Sequence, residues 1–314
     1  MRRDATTFAE FVAADAVRGY VSQPHQRTTP APTTMALTTA SLTWRRTLVA
    51  ATGAAVLTRL VHHALRQRRT KVDAVHVAPT SPRPGWSPAE KQPRPHEDGR
   101  MASIAPEDLA SAYKLLISAW VPRPIALVSS VSDTGVSNVA PFSYAGAVSH
   151  DPPMLSFSVC ASAAGPKDTL TNVLATGEYV IHVMSDWYVE AANHTCGAFA
   201  PDDDEMALAN LTPVPSLRVA PPRIDEAAVA FEMKLRHSYD VKNADGQHTA
   251  TLLVGEVVMF HVAEAALERD AKGGDPTVSM DALRPLARLG GNRYGCVTHA
   301  FDLPRPQAPP GARR

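Results

Sequence analysis

Residues 121–144 read VPRPIALVSSVSDTGVSNVAPFSY. Arg123 to Ser132 is apolar and rich in strand-forming residues, Asp133, Thr134 and Gly135 give a turn signal, and Val136 to Ala140 returns. The stretch therefore predicts a β-hairpin. Ser129 and Ser130 end its first strand, where hydroxyls can reach a ligand at the mouth of a barrel. Pro141 breaks the second strand, which leaves backbone groups between Asn138 and Tyr144 open to a ligand. Asn138 and Ser143 add side-chain partners.

Outward from this hairpin the pattern stays β-rich. Met154 to Val159 and Glu178 to Met184 read as strands. Ala228 to Val241 alternates, with Val229, Phe231, Met233 and Leu235 set against Ala230, Glu232, Lys234 and Arg236. Asn243 to Gly246 is a turn, and His248 to Val262 is the return strand. Helices are predicted over Ala105 to Ser118, from the early Pro106, Glu107 and Asp108, and over Lys167 to Thr176, closed by Gly177. Short helices fit Asp186 to Asn193 and Glu205 to Asn210. Strands outnumber helices and do not alternate with them, so the class is mainly β: an antiparallel barrel or sandwich with peripheral helices. No G-x-G-x-x-G follows a strand and no phosphate loop occurs, which disfavours a dinucleotide-binding α/β domain.

Composition narrows the partners. Lys plus Arg and Asp plus Glu each number 31 in 314 residues. A neutral chain gives no global electrostatic reason to expect nucleic acid. Cys160, Cys196 and Cys296 are widely spaced and odd in number, which argues against a disulfide framework or a zinc site and for a reducing compartment. His182, His194, His237 and His299 lack metal-ligand spacing and read as structural.

The chain changes character near residue 100. Residues 1–100 are expected to be a low-complexity, disordered extension, with Ser/Thr/Pro-rich 22–42 and proline-rich 78–98 as linkers. Between Asp15 and Asp73 there is no acidic residue. Arg45, Arg46, Arg59, Arg66, Arg68, Arg69 and Lys71 surround the apolar run from Leu48 to Leu65. Such a segment has the look of an organellar presequence, although Asp4, Glu10 and Asp15 do not. A non-functional extension and a membrane anchor are the alternatives, and the run is short for a span. The location expected is intracellular: cytoplasmic, or mitochondrial with a presequence.

An ordered set of motifs carries a family resemblance. After residues 121–144 come His150, Asp151, Pro152 and Pro153; Lys167, Asp168 and Thr169 with Asn172; Thr176 to Val180; and Arg288 to Tyr294. In this order and spacing they resemble the flavin reductase-like, FMN-binding split-barrel family over residues 104–303, with 304–314 a disordered tail. The resemblance implies a Greek-key split barrel that forms a homodimer, binds FMN and takes hydride from NADH or NADPH. Some members of the family supply reduced flavin to a partner monooxygenase. It implies cofactor binding by Ser129, Ser130, Asn138, Ala140, Pro141, Phe142, Ser143, Tyr144, Lys167, Asp168 and Thr169, with phosphate contact at Lys167 and Thr169. No catalytic side chain is expected, because the flavin carries the hard step. The activity implied is that of an NAD(P)H-dependent flavin oxidoreductase. A tightly FMN-bound enzyme with a dedicated organic substrate, or a flavin-binding module without catalysis, are the rivals.

Individual residues keep plainer readings. Asp168 suits a helix start as well as a ligand contact. Arg123, between two prolines, suits an ion pair or a phosphate contact. Gly290, Gly291 and Tyr294 suit either a tight turn with a core aromatic or close approach to flavin or nicotinamide. Cys160 ends a strand without an evident histidine partner.

Overall fold

The computed structural model describes residues 74–306 except 79, 94–98, 201–202 and 270–272. The chain divides into two units, Met1–Lys71 and Val72–Arg314. The Arg-rich segment and the chain end from 307 lie outside the described residues. Among the described residues no helix is long and apolar enough to cross a membrane.

Seven antiparallel strands form the main sheet. They are β3 (Ala126–Val131), β4 (Ser137–Phe142), β5 (Ala145–His150), β6 (Pro153–Cys160), β7 (Glu178–Val183), β10 (Val229–Lys242) and β11 (His248–Val262). Their order is β4-β3-β7-β10-β11-β6-β5. The shorter strands are β1 (His76–Ala78), β2 (Arg123–Pro124), β8 (Pro213–Val214), β9 (Arg223–Ile224) and, beyond β11, β12 (Leu267–Glu268), β13 (Thr277–Val278), β14 (Leu286–Arg288), β15 (Tyr294–Cys296) and β16 (His299–Phe301).

The order itself explains the curvature. β4 and β5 are the two outer strands, yet only Ser143 and Tyr144 separate them in the chain. A flat sheet of seven strands cannot be bridged by two residues, so the sheet curls until its edges meet. The Ser158 N–H donates to the Tyr144 carbonyl at 2.8 Å and ties the seam to β6. The antiparallel split barrel expected from the sequence is the fold found.

Both faces of β3 are covered, which is why residues 125–128 read as an unbroken apolar run. Ala126 and Val128 join Phe142, Phe157, Tyr179 and Met233 in one core cluster. Ile125 and Leu127 join Met184, Tyr188, Met206 and Ile224 in another. The second cluster is roofed by α3 (Val189–His194) and α4 (Glu205–Leu208), which follow α1 (Tyr113–Ala119) and α2 (Asp168–Thr176).

Several expectations shift in detail. The helix expected over 105–118 is a single tight turn at Pro106–Asp108 followed by α1. Leu109, extended at ψ 138°, separates the two. β5 was not anticipated: Ala145, Gly146 and Ala147 are poor strand formers, and pairing with β6 makes them a strand. Inside the extension assigned to 1–100, β1 pairs in parallel with β16. Glu232, placed on the outer face by the alternation of β10, is fully buried. Its carboxylate accepts from the N–H groups of Leu217 (2.7 Å) and Arg218 (2.6 Å) and pairs with His261 Nε2 (2.6 Å). Burial alone would raise this carboxyl; those donors outweigh it and hold it below the ordinary range.

One glycine is fixed by close approach. A Cβ at Gly255 would sit 2.1 Å from the Tyr179 hydroxyl oxygen and 3.0 Å from the Lys234 carbonyl. The Tyr179 hydroxyl is itself buried without a partner. Gly255→Ala is expected to cost about 2 kcal/mol in urea unfolding, by overpacking. Adding Tyr179→Phe should return part of that loss, because it removes the nearest clash and an unpaired hydroxyl while the ring carbon Cζ, 2.9 Å from the added Cβ, still has to give. No recovery in the double variant would place the strain elsewhere.

Candidate functional site

A cleft of about 300 Å³ opens at the seam. Pro141, Phe142, Ser143 and Tyr144 form one wall, Ser158 and Cys160 at the end of β6 another. Lys167 enters from the start of α2, Tyr113 and Ile117 from α1, and Asn193, Cys196, Arg288, Gly291 and Tyr294 close the far side. Three cations, Arg123, Lys167 and Arg288, line it, and among the described residues no carboxylate does. In a chain of zero formal charge this is a local concentration of positive potential.

The cations are held in different ways. Lys167 is exposed, with Nζ 5.9 Å from the centre of the Phe142 ring. Arg288 stacks on Tyr294 at 4.4 Å, a cation–π contact. Arg123 is 4% exposed. Its Nη1 donates to the Ile117 and Trp120 carbonyls (2.5 and 2.6 Å) and its Nη2 to Leu289 O (3.1 Å). These acceptors include the end of α1, where a cation is favoured by the helix dipole.

The cleft stands on a buried polar network. Asn138, Thr169, Asn172 and Ser130 are all buried. With the Asn138 amide nitrogen donating to Glu205 Oε1 (3.3 Å), its oxygen accepts from Thr169 Oγ1 (2.8 Å) and Ser130 Oγ (3.3 Å). Asn172 Nδ2 then donates to Ser130 Oγ at 3.2 Å. This orientation satisfies every member, whereas the reverse would aim an amide oxygen at a carboxylate. The Val139 N–H donates to Glu205 Oε2 at 3.2 Å. Burial is the main reason the Glu205 carboxyl is raised, opposed by its own and the Val139 N–H and supported by Asp168 and Asp204.

A model of the flavin reductase like domain matches residues 118–281. The chain belongs to the flavin reductase-like family. The YwrF protein of Bacillus subtilis (strain 168) is 42% identical over 194 residues, covering 62% of this chain and 93% of its own. Nitrilotriacetate monooxygenase component B from Bacillus cereus is 37% identical, with TM-score 0.61 over 65% of this chain and 99% of that one. The 2-nitrobenzoate 2-nitroreductase NbaA of Pseudomonas fluorescens is 27% identical, with TM-score 0.55 over 68% and 99%.

Against this family frame the residues singled out in the sequence fall into two groups. Pro141, Phe142, Ser143, Tyr144 and Lys167 line the cleft. Ser130, Asn138 and Thr169 lie beneath it and bond one another. Asp168 and Ala140 are half-buried. Ser129 does not line the cleft. It is fully buried, and its hydroxyl donates to the Pro222 carbonyl at 2.6 Å. Side chains alternate along a strand, so Ser129 and Ser130 cannot face the same way. Arg123 is in no ion pair among the described residues and instead binds carbonyls. Gly291 (φ +61°) and Tyr294 line the cleft, and the Tyr294 hydroxyl donates to Asn193 Oδ1 at 2.7 Å. Cys196, Arg288 and Asn193 were not singled out as site residues; Asn193 and Cys196 come from α3 and the turn after it, and Arg288 from β14, which pairs with β2 at Arg123.

Proposed function

We propose that the chain binds FMN in the seam cleft and acts as an NAD(P)H:flavin oxidoreductase, a flavin reductase. The observation that carries this reading is the charge of the cleft: three cations and no carboxylate beside the loop 141–144. A cleft of this size, with apolar and aromatic surface from Pro141, Phe142 and Tyr144 beside three cations, suits a planar cofactor bearing an anionic tail.

The residues present fit that group. Lys167 and the first turn of α2 suit the phosphate. α2 has no side-chain cap; Leu170 and Thr171 N–H donate to the Lys167 carbonyl, which leaves the N–H groups of Asp168 and Thr169 for an anion. Pro141, Phe142 and Tyr144 offer apolar surface for the ring. The hydroxyls of Ser143 and Ser158 have no partner among the described residues and suit its polar edge. Ser130, Asn138 and Thr169 keep the wall in place from beneath. When bound, the isoalloxazine ring supplies an electron sink that takes hydride from NADH or NADPH at N5.

The reading extends to a homodimer and to delivery of reduced flavin to a partner monooxygenase. Likeness to a monooxygenase component B supports the second point. Three free cysteines suit an intracellular location. A second reading, an enzyme that retains FMN and reduces a dedicated organic substrate, is favoured by likeness to a nitroreductase. Retention of FMN through dialysis, with little turnover of free flavin, would select it.

Lys167→Glu tests the cleft directly. The side chain is exposed, so folding should be unaffected. Loss of a charge-assisted phosphate contact should weaken FMN about tenfold or more, read by quenching of flavin fluorescence. Unchanged affinity would remove the phosphate from this end of the cleft.

A further inference from the structure

Two of the three free cysteines face the seam cleft. Cys160 ends β6 and Cys196 lies in the turn after α3. Both are exposed, and both line the cleft. We propose that these two thiols are a modification site for disulfides that carry carboxylates, and that a mixed disulfide on either of them shuts the flavin out. The first half follows from the charge of the cleft; the second half rests on the flavin reading given above.

The cleft draws an anionic reagent to the sulfurs. Arg123, Lys167 and Arg288 line it together with the two cysteines, and among the described residues no carboxylate does. Burial raises the pKa of the Tyr144 phenol; Cys160 and Tyr113 add to the rise and Arg123 opposes it, so Cys160 and Arg123 lie within electrostatic reach of one ring. At Tyr294 burial again leads, Arg288 opposes and Cys196 adds. Each sulfur thus shares a tyrosine with a guanidinium. A cleft of one sign raises the encounter rate of the opposite ion by about tenfold or more.

Cys296 stands in the opposite field. It too is free and exposed, but it lines a small cavity of about 30 Å³ with Asp186, Asp281 and Arg284. Arg284 is paired with Asp186, its Nε 3.0 Å from Oδ2, so the charge left beside Cys296 is the carboxylate of Asp281. One chain therefore presents three accessible thiols in two fields of opposite sign.

The step is thiol–disulfide exchange. The cysteine gives its proton to solvent, and the thiolate attacks one sulfur of the reagent. The protein–reagent S–S bond forms as the reagent's own S–S bond breaks. The other half of the reagent leaves as a thiolate with the electron pair, so the cysteine sulfur is oxidised and the leaving sulfur reduced. A dithiol reverses the step, which makes the cap reversible in a reducing compartment. An adduct on Cys160 or Cys196 would fill much of a cleft of about 300 Å³ and set its carboxylate against cations that the FMN phosphate would use.

The test treats the full chain with dithiodipropionate, a dianion, and with cystamine, a dication of similar length. Peptide mass spectrometry reads the rate at each cysteine. The ratio of cleft to Cys296 modification should be about tenfold or more higher with the dianion than with the dication. High salt should narrow that difference. Comparing ratios removes differences in exposure between the sites and in reactivity between the reagents. In Cys296→Ser, treatment with dithiodipropionate should weaken FMN about tenfold or more, read by flavin fluorescence, and dithiothreitol should restore it. In the double variant Cys160→Ser, Cys196→Ser the same treatment should leave FMN affinity as it was before treatment. Equal ratios for the two reagents would overturn the modification site. Unchanged FMN affinity after modification of Cys296→Ser would overturn the exclusion of flavin. The ratios are read without flavin, so an untreated chain that binds no FMN would sink the flavin reading and the exclusion together, and the ratios would still decide the thiol site.

Discussion

Asn138→Leu is expected to lower stability by about 3 kcal/mol and to weaken FMN binding with it. Leucine is close to asparagine in size but offers no polar atom. The substitution would strand the hydroxyls of Thr169 and Ser130 and the Glu205 carboxylate, all of which meet the Asn138 amide in the buried network. A buried group left without its partner costs about 1–3 kcal/mol, more when charged. Asn138 lies on β4, three residues before Pro141, and the network joins that strand to α2 through Thr169 and to α4 through Glu205. Loosening it would free both the seam wall and the Lys167 end of the cleft. Urea unfolding and FMN fluorescence on the same variant check both effects. A loss below about 1 kcal/mol, within the range of ordinary surface substitutions, would show that the network is not a support for the site.

The second large effect concerns acid. His182 is fully buried, with Nδ1 2.9 Å from Leu127 O and Nε2 accepting the Ile224 N–H at 3.0 Å. These partners require the neutral ring with its proton on Nδ1. Burial is the main reason its pKa is lowered to about 4, opposed by the Leu127 carbonyl and helped by Arg223 and His261. The sign follows from linkage. Between the ordinary value of 6.5 and about 4 the unfolded chain takes up a proton that the folded one refuses. Stability from His182 is therefore complete above pH 6.5, falls as pH drops through this window, and falls no further below about pH 4. The total is on the order of 3 kcal/mol. His182→Gln can keep one donor and one acceptor without titrating. Its stability should vary less across this window by roughly that amount. Equal slopes for the two proteins would show that another group carries the acid sensitivity.

Much of the barrel was legible in the chain because its hairpins are local. Asp133 to Gly135 and Asn243 to Gly246 announce their turns, and the strands beside them carry enough apolar alternation to set their faces. β5 was not legible because Ala145, Gly146 and Ala147 owe their conformation to β6 rather than to propensity. Glu232 broke its strand's pattern because a distant loop, at Leu217 and Arg218, supplies the donors that make burial tolerable. The cleft was legible where it follows the motif, from Pro141 to Tyr144 and at Lys167. The Ser129 side chain faces away from the cleft because adjacent strand residues face opposite ways. The far wall, with Cys196 and Arg288, depends on contacts from segments 52 and 144 residues beyond Tyr144 in the chain, which no short pattern encodes.

The central claim is that the seam cleft binds FMN and that the bound flavin takes hydride from a nicotinamide. The most direct measurement adds FMN to the purified full chain without oxygen, then NADH or NADPH, and follows the flavin absorbance. Rapid bleaching with one or both nicotinamides is predicted, together with weaker binding in Lys167→Glu. A protein that leaves the fluorescence of added FMN unchanged and stays colourless after desalting would contradict it.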